Sequence, residues 1–128
     1  MLSQKFESIK RQYPRLAPLL DRLVAYIQAQ TEDGQEYIIP KLAAVALHLN
    51  DGEAFVLLDL LSEAGVLRRV YNVYCRKENA LLATVDSPDE LDEIPPHCDF
   101  CDRDHDLSDL KVEIAFTPTT DALRDLAA

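Results

Sequence analysis

Three residues, Asn50-Asp51-Gly52, separate two apolar stretches that both read as helix. A connection this short leaves room for nothing but a tight turn, so the two helices form a pair. The first stretch is 41–49. The second is 53–64, with the turn supplying its N-cap and Gly65 its C-terminal cap. Upstream, Leu16, Leu19, Leu20, Leu23, Val24 and Ile27 recur at helical spacing, which predicts one buried face over 16–30. Pro18 fits only in a first turn, so this helix starts near Arg15 to Ala17, after a break at Pro14. Thr31-Glu32-Asp33-Gly34-Gln35 reads as a turn, and Glu36-Tyr37-Ile38-Ile39 as a short strand stopped by Pro40.

Beyond Gly65 the pattern changes to strand. Residues 66–75 are rich in Val and Tyr, 80–85 read as a second strand, and 111–116 alternate polar with apolar. Ser87-Pro88-Asp89-Glu90 combines a cap, a first-turn proline and a capping-box Glu, which predicts one helical turn. Thr119 or Thr120 is placed to cap a last short helix running through Ala127.

This order of helix, short strand, helix, tight turn, helix, strand, long excursion and strand is that of a winged helix-turn-helix. The stretch 42–75, LAAVALHLNDGEAFVLLDLLSEAGVLRRVYNVYC, resembles that superfamily, with EAGVLRRVYNVY leading from its third helix into the wing. The resemblance covers about 16–116 and implies an α+β fold with N-terminal helices and an enlarged wing. A length of 128 residues suits one domain over 1–128. Its expected parts are N-terminal helices in 1–30, helix-turn-helix core and first wing strand in 36–75, acidic wing in 76–110, and last strand with C-terminal helix in 111–128.

Charge limits what such a fold can touch. There are 23 acidic and 13 basic residues, a net charge of −10. Residues 1–30 hold five bases (Lys5, Lys10, Arg11, Arg15, Arg22) against two acids, a net of +3. Residues 86–109 hold ten acids and one base, Arg103, a net of −9. In DNA-binding winged helices the third helix enters the major groove. Here it has no Lys, Arg, Asn or Gln and three carboxylates, Glu53, Asp59 and Glu63. The side chains that read guanine and adenine are missing, and phosphate would repel what is present. Nucleic acid and anionic membrane are therefore not expected partners. The alternative, a DNA-binding regulator, would draw phosphate contacts from Arg11, Arg15, Arg22, Arg68 and Arg69. The same helix is apolar on more than one face. Either it is wholly buried beneath the N-terminal helices, or Phe55, Val56 and Leu58 form an exposed strip for a protein partner or a homodimer.

Cys98-Asp99-Phe100-Cys101 has the spacing with which two thiolates chelate one zinc ion, and His105 follows it. Cys75 stands alone at the end of a strand. Cys75, Cys98, Cys101 and His105 would together hold a structural zinc and staple the wing, with His97 or Glu78 as other choices for the fourth ligand. Against this stands a reading of three free thiols, with Cys75 simply a buried strand residue. A third reading is a metal- or redox-sensing switch with Cys98 and Cys101 as the sensing pair. Asp99, Asp102, Asp104 and Asp106 oppose a free reactive thiolate, whereas a bound metal reverses that logic. Asp102, Asp104, Asp106 and Glu113 match calcium-loop spacing, but Leu107 replaces the required Gly, so the match reads as coincidence. Three glycines leave no phosphate loop, and three Cys with one His is a closed site, so no catalysis is expected.

No apolar run approaches 18 residues, the N-terminus lacks an apolar leader, and the cysteine count is odd, so reducing cytosol is the expected compartment. The combination resembles small bacterial winged-helix adaptors with a zinc-bearing wing, found in regulatory and antiphage defence systems. That resemblance implies a non-catalytic protein–protein adaptor, and the −9 of residues 86–109 adds the expectation of a basic partner for the wing.

Overall fold

The computed structural model describes residues 4–93, 97–98, 103–104 and 109–119. The chain divides into two compact units, one of Met1–Arg69 with Phe116–Ala128 and one of Val70–Ala115. Among the described residues there are four α-helices and a three-stranded sheet, an α+β arrangement compatible with a winged-helix-like layout.

In the first unit, α1 (Gln4–Gln12) leads through a 3-10 turn at Pro14–Leu16 into α2 (Ala17–Glu32). Pro18 stands in the first turn of α2, where its missing N–H leaves no carbonyl unpaired. Leu20, Leu23, Val24 and Ile27 of α2 are buried as their spacing predicts, while Leu16 and Leu19 lie half-buried at its start. The helix runs further than expected, through Thr31, whose hydroxyl donates to the Ile27 carbonyl (2.9 Å). It stops only at Gly34, which takes the left-handed φ of 82°. The strand expected at 36–39 reduces to a single bridge, Ile38 to Phe116, because Pro40 already opens the next helix.

That helix, α3, spans Pro40–Leu47, and α4 spans Asp51–Glu63. Asn50 and Glu53 form a reciprocal capping box: the Asn50 side chain accepts from the Glu53 amide, and the Glu53 carboxylate accepts from the Asn50 amide. Placing the cap at Asn50 starts α4 two residues before the expected 53. After α4, Gly65 turns the chain at φ 81°. Thr119 holds this turn: its amide donates to the Val66 carbonyl and its hydroxyl to that of Gly65 (2.9 Å). Phe6, Leu20, Leu23, Ile27, Ile38, Leu58, Leu61 and Phe116 are fully buried in this unit. The final helix through Ala127, with Thr120 as its other cap, lies outside the described residues.

In the second unit, the sheet has the order β2-β1-β5, from β1 (Leu67–Cys75), β2 (Ala80–Val85) and β5 (Leu110–Pro118). β1 and β2 pair antiparallel from Tyr71↔Val85 to Cys75↔Ala80, with an irregularity between Val73 and Tyr74. Their connection ends on Asn79 at φ 53°, a conformation Asn tolerates better than most residues. Val70, Val73, Cys75 and Ala115 are buried, and so is the polar Asn72, whose side-chain oxygen accepts from the Thr84 hydroxyl (2.6 Å). The turn predicted after Ser87 is a 3-10 helix, Pro88–Glu93, in which Glu90 accepts from the Asp86 amide and not from that of Ser87. A separate two-residue ladder joins β3 (His97–Cys98) to β4 (Arg103–Asp104).

Candidate functional site: the outer face of helices α3 and α4

α3 is eight residues long and apolar almost throughout, so its inner face cannot be read from its composition. Packing against α4 and α2 decides it. Ala43, Ala44 and Leu47 turn inward, which leaves Leu42, Val45 and Ala46 outside. Leu42 is 58% exposed and Val45 73%. The α3 C-terminus closes on His48, a non-glycine residue at φ 59°. Arg22 also serves this end, its guanidinium donating to the Leu47 carbonyl at 3.2 Å.

α4 buries Ala54, Leu57, Leu58 and Leu61 and exposes Val56 at 58%. The strip expected from Phe55, Val56 and Leu58 is therefore corrected. Leu58 has no exposed surface and is core. Phe55 is half-buried, its ring edge-on to Phe116 with centroids 5.9 Å apart. Val56 alone of the three stands in solvent. The rest of the apolar surface comes from Leu42 and Val45, which the sequence reading left out. Their spacing of three was visible, but only the burial of Ala43, Ala44 and Leu47 tells which side it faces.

The arginines divide as well. Arg69, on β1, forms an ion pair with Asp59 of α4 at 3.1 Å and lies 5.0 Å from the Phe55 ring centroid. Its Nε is buried and lacks a hydrogen-bond partner. Arg69, half-buried, and Arg22, exposed, thus each tie the helices to a neighbouring group. Arg11 and Arg15 are exposed. Arg68 is exposed too and lines a cleft of about 420 Å³ with residues that include Tyr37, Glu36 and Thr117. On α1, Lys10 donates to Asp21 (2.9 Å) and lies 3.5 Å from Glu7. The hydrogen bond to Asp21 holds the ammonium above the ordinary lysine range. Neither a protein-family model, nor a curated protein, nor a solved structure matches the chain.

Of the expected zinc ligands, Cys75 is a free, fully buried thiol at the end of β1, opposite Ala80. Cys98 is the second residue of β3, its backbone paired with Arg103, and His97 is paired with Asp104. Cys101 and His105 lie outside the described residues, as do Asp99, Asp102 and Asp106. Glu78 is exposed in the turn after β1. Among the described residues no three His, Cys, Asp or Glu side chains converge to hold a metal. Glu113 of the calcium-like spacing is on β5, paired with Lys111 at 3.1 Å.

Proposed function

We propose that this chain is a non-catalytic winged-helix adaptor that binds a protein partner through the outer face of α3 and α4. The observation that carries this reading is the exposure of Leu42, Val45 and Val56 on two packed helices. α4, which would be the groove-reading helix of a DNA-binding protein, offers no Lys, Arg, Asn or Gln there. Two of the arginines that a DNA-binding role would need, Arg22 and Arg69, already serve the Leu47 carbonyl and Asp59. Burying three aliphatic side chains contributes roughly 5 kcal/mol, at 1.5–3 kcal/mol for each side chain fully withdrawn from water. Association costs about 4–15 kcal/mol in lost freedom, so the apolar patch must be helped by polar contacts around it.

In the same reading the protein works in the reducing cytosol, and Cys98 and Cys101 hold a structural zinc with Cys75 and His105. Support for the metal is the C-x-x-C spacing together with the antiparallel pairing of Cys98 with Arg103 on either side of 99–102. The ion would tie thiolates together and supply no reactive position.

The test of the contact face is the double variant Val45→Asp/Val56→Asp, cross-linked in host cells beside the wild-type protein. The proposal expects the cross-linked partner band to vanish while the thermal midpoint stays unchanged. An undiminished band in the folded variant sinks it.

A further inference from the structure

We propose that the α3–α4 face receives a cationic amphipathic helix from the partner protein. This rests on the contact-face reading above and specifies the chemistry of what binds there.

The face has two stripes. On α3, Leu42, Val45 and Ala46 recur at offsets of three and four, one side of the helix, and all three are exposed. On α4 the exposed Val56 has Glu53 three residues before it, Asp59 three after and Glu63 seven after. Offsets of three, four and seven fall on one side of a helix, so this apolar anchor is ringed by carboxylates. Between Pro40 and Glu63 the charges are one base, Lys41, and four acids, Asp51, Glu53, Asp59 and Glu63, a net of −3. Arg69 neutralises only Asp59. Asp51, Glu53 and Glu63 have no cationic partner among the described residues.

Exposed aliphatic side chains on α3 and α4, with carboxylates along the exposed part of α4, are complementary to a helix with apolar anchors at i, i+3/i+4 and i+7 and Lys or Arg alongside. Phosphate would meet the same carboxylates and be repelled, and a second α3–α4 face would oppose acid to acid. The fit is therefore to a basic helix and not to nucleic acid or a like face of another copy.

The probe is an 18-residue Leu/Lys amphipathic peptide, titrated into the full-length ¹⁵N-labelled protein and followed by amide shifts. A Leu/Glu peptide with the same apolar positions is the control. The expected result is saturable shifts at the amides of Leu42, Val45, Val56 and Glu63, with the Leu/Glu peptide binding at least about tenfold more weakly. Glu53→Gln/Glu63→Gln, which removes two charges but keeps the capping hydrogen bond, should weaken the Leu/Lys peptide and strengthen the Leu/Glu peptide, narrowing the difference between them. Equal binding of both peptides overturns the cationic class and leaves the contact face standing. Shifts confined to 86–109, or absent altogether, also overturn it, and the face then stands or falls by the cross-linking above. Shifts at the same amides that appear on concentrating the protein without peptide would assign the face to a second copy instead.

Discussion

Val56 and Leu58 are two positions apart on α4, with similar side chains and opposite surroundings: one is more than half exposed, the other has no exposed surface. Leu58→Ala should therefore cost about 2–5 kcal/mol, as a cavity in a filled core does, and Val56→Ala about 0.5 kcal/mol or less. Urea unfolding curves check both. Equal costs would mean that Val56 is packed rather than presented. Arg69 is a residue whose charge is used internally. A double-mutant cycle of Arg69→Met with Asp59→Ala should give a coupling of roughly 0.2–1 kcal/mol, since both side chains remain about one-third exposed and solvent screens the pair. Titration adds a third expectation. The Asp21 hydrogen bond raises the Lys10 pKa and burial raises that of Tyr26, so each group keeps its proton to higher pH in the folded chain than in the unfolded one. The unfolded state then binds fewer protons as pH climbs past about 10, and stability must fall there. Midpoints of urea unfolding should drop between about pH 9 and pH 11, and Lys10→Met should lessen the drop.

The α3–turn–α4 pair shows what local chemistry accomplishes. Asn50→Ala removes half the capping box and should cost about 1 kcal/mol, whereas Asn50→Ser, which can still accept from the Glu53 amide, should cost much less. His48 ends α3 in a left-handed conformation that glycine adopts freely. His48→Gly should therefore stabilise by up to about 1 kcal/mol, read as a higher thermal midpoint. The Gly65 cap, the Pro18 position in α2 and the turn that supplies the α4 cap were legible in the sequence, because each depends on neighbours within four residues; that Asn50 is the capping residue was not. Gly34 and His48 were less so: Gly34 stood within a longer expected turn, and His48 looked like an ordinary helix residue. The short strand at 36–39 is reduced to the Ile38–Phe116 bridge by α3 starting at Pro40, and that partner, 78 residues away, could not be read locally.

For the molecule as a whole, charge is the widest constraint, and it makes two outcomes checkable without a partner in hand. Binding to random duplex DNA near physiological salt should be undetectable by fluorescence anisotropy. A steep salt dependence would instead restore Arg11, Arg15 and Arg68 as phosphate contacts. Gently purified protein should carry about one zinc per chain by elemental analysis, lost in Cys98→Ser. Absence of the metal would leave Cys75 as simply a buried strand thiol.

Sequence by itself determined that helices lie on either side of the three-residue turn, that strands follow Gly65, and that −9 falls in 86–109, since these follow from residue type and short-range spacing. Only the tertiary structure decided that Leu58 faces inward while Leu42 and Val45 face out. It also decided that Arg22 and Arg69 are braces. The physical reason is that α3 and α4 are apolar on several sides. Which side is buried, and which guanidinium finds a carbonyl or a carboxylate, depends on residues distant in the chain that local pattern does not encode.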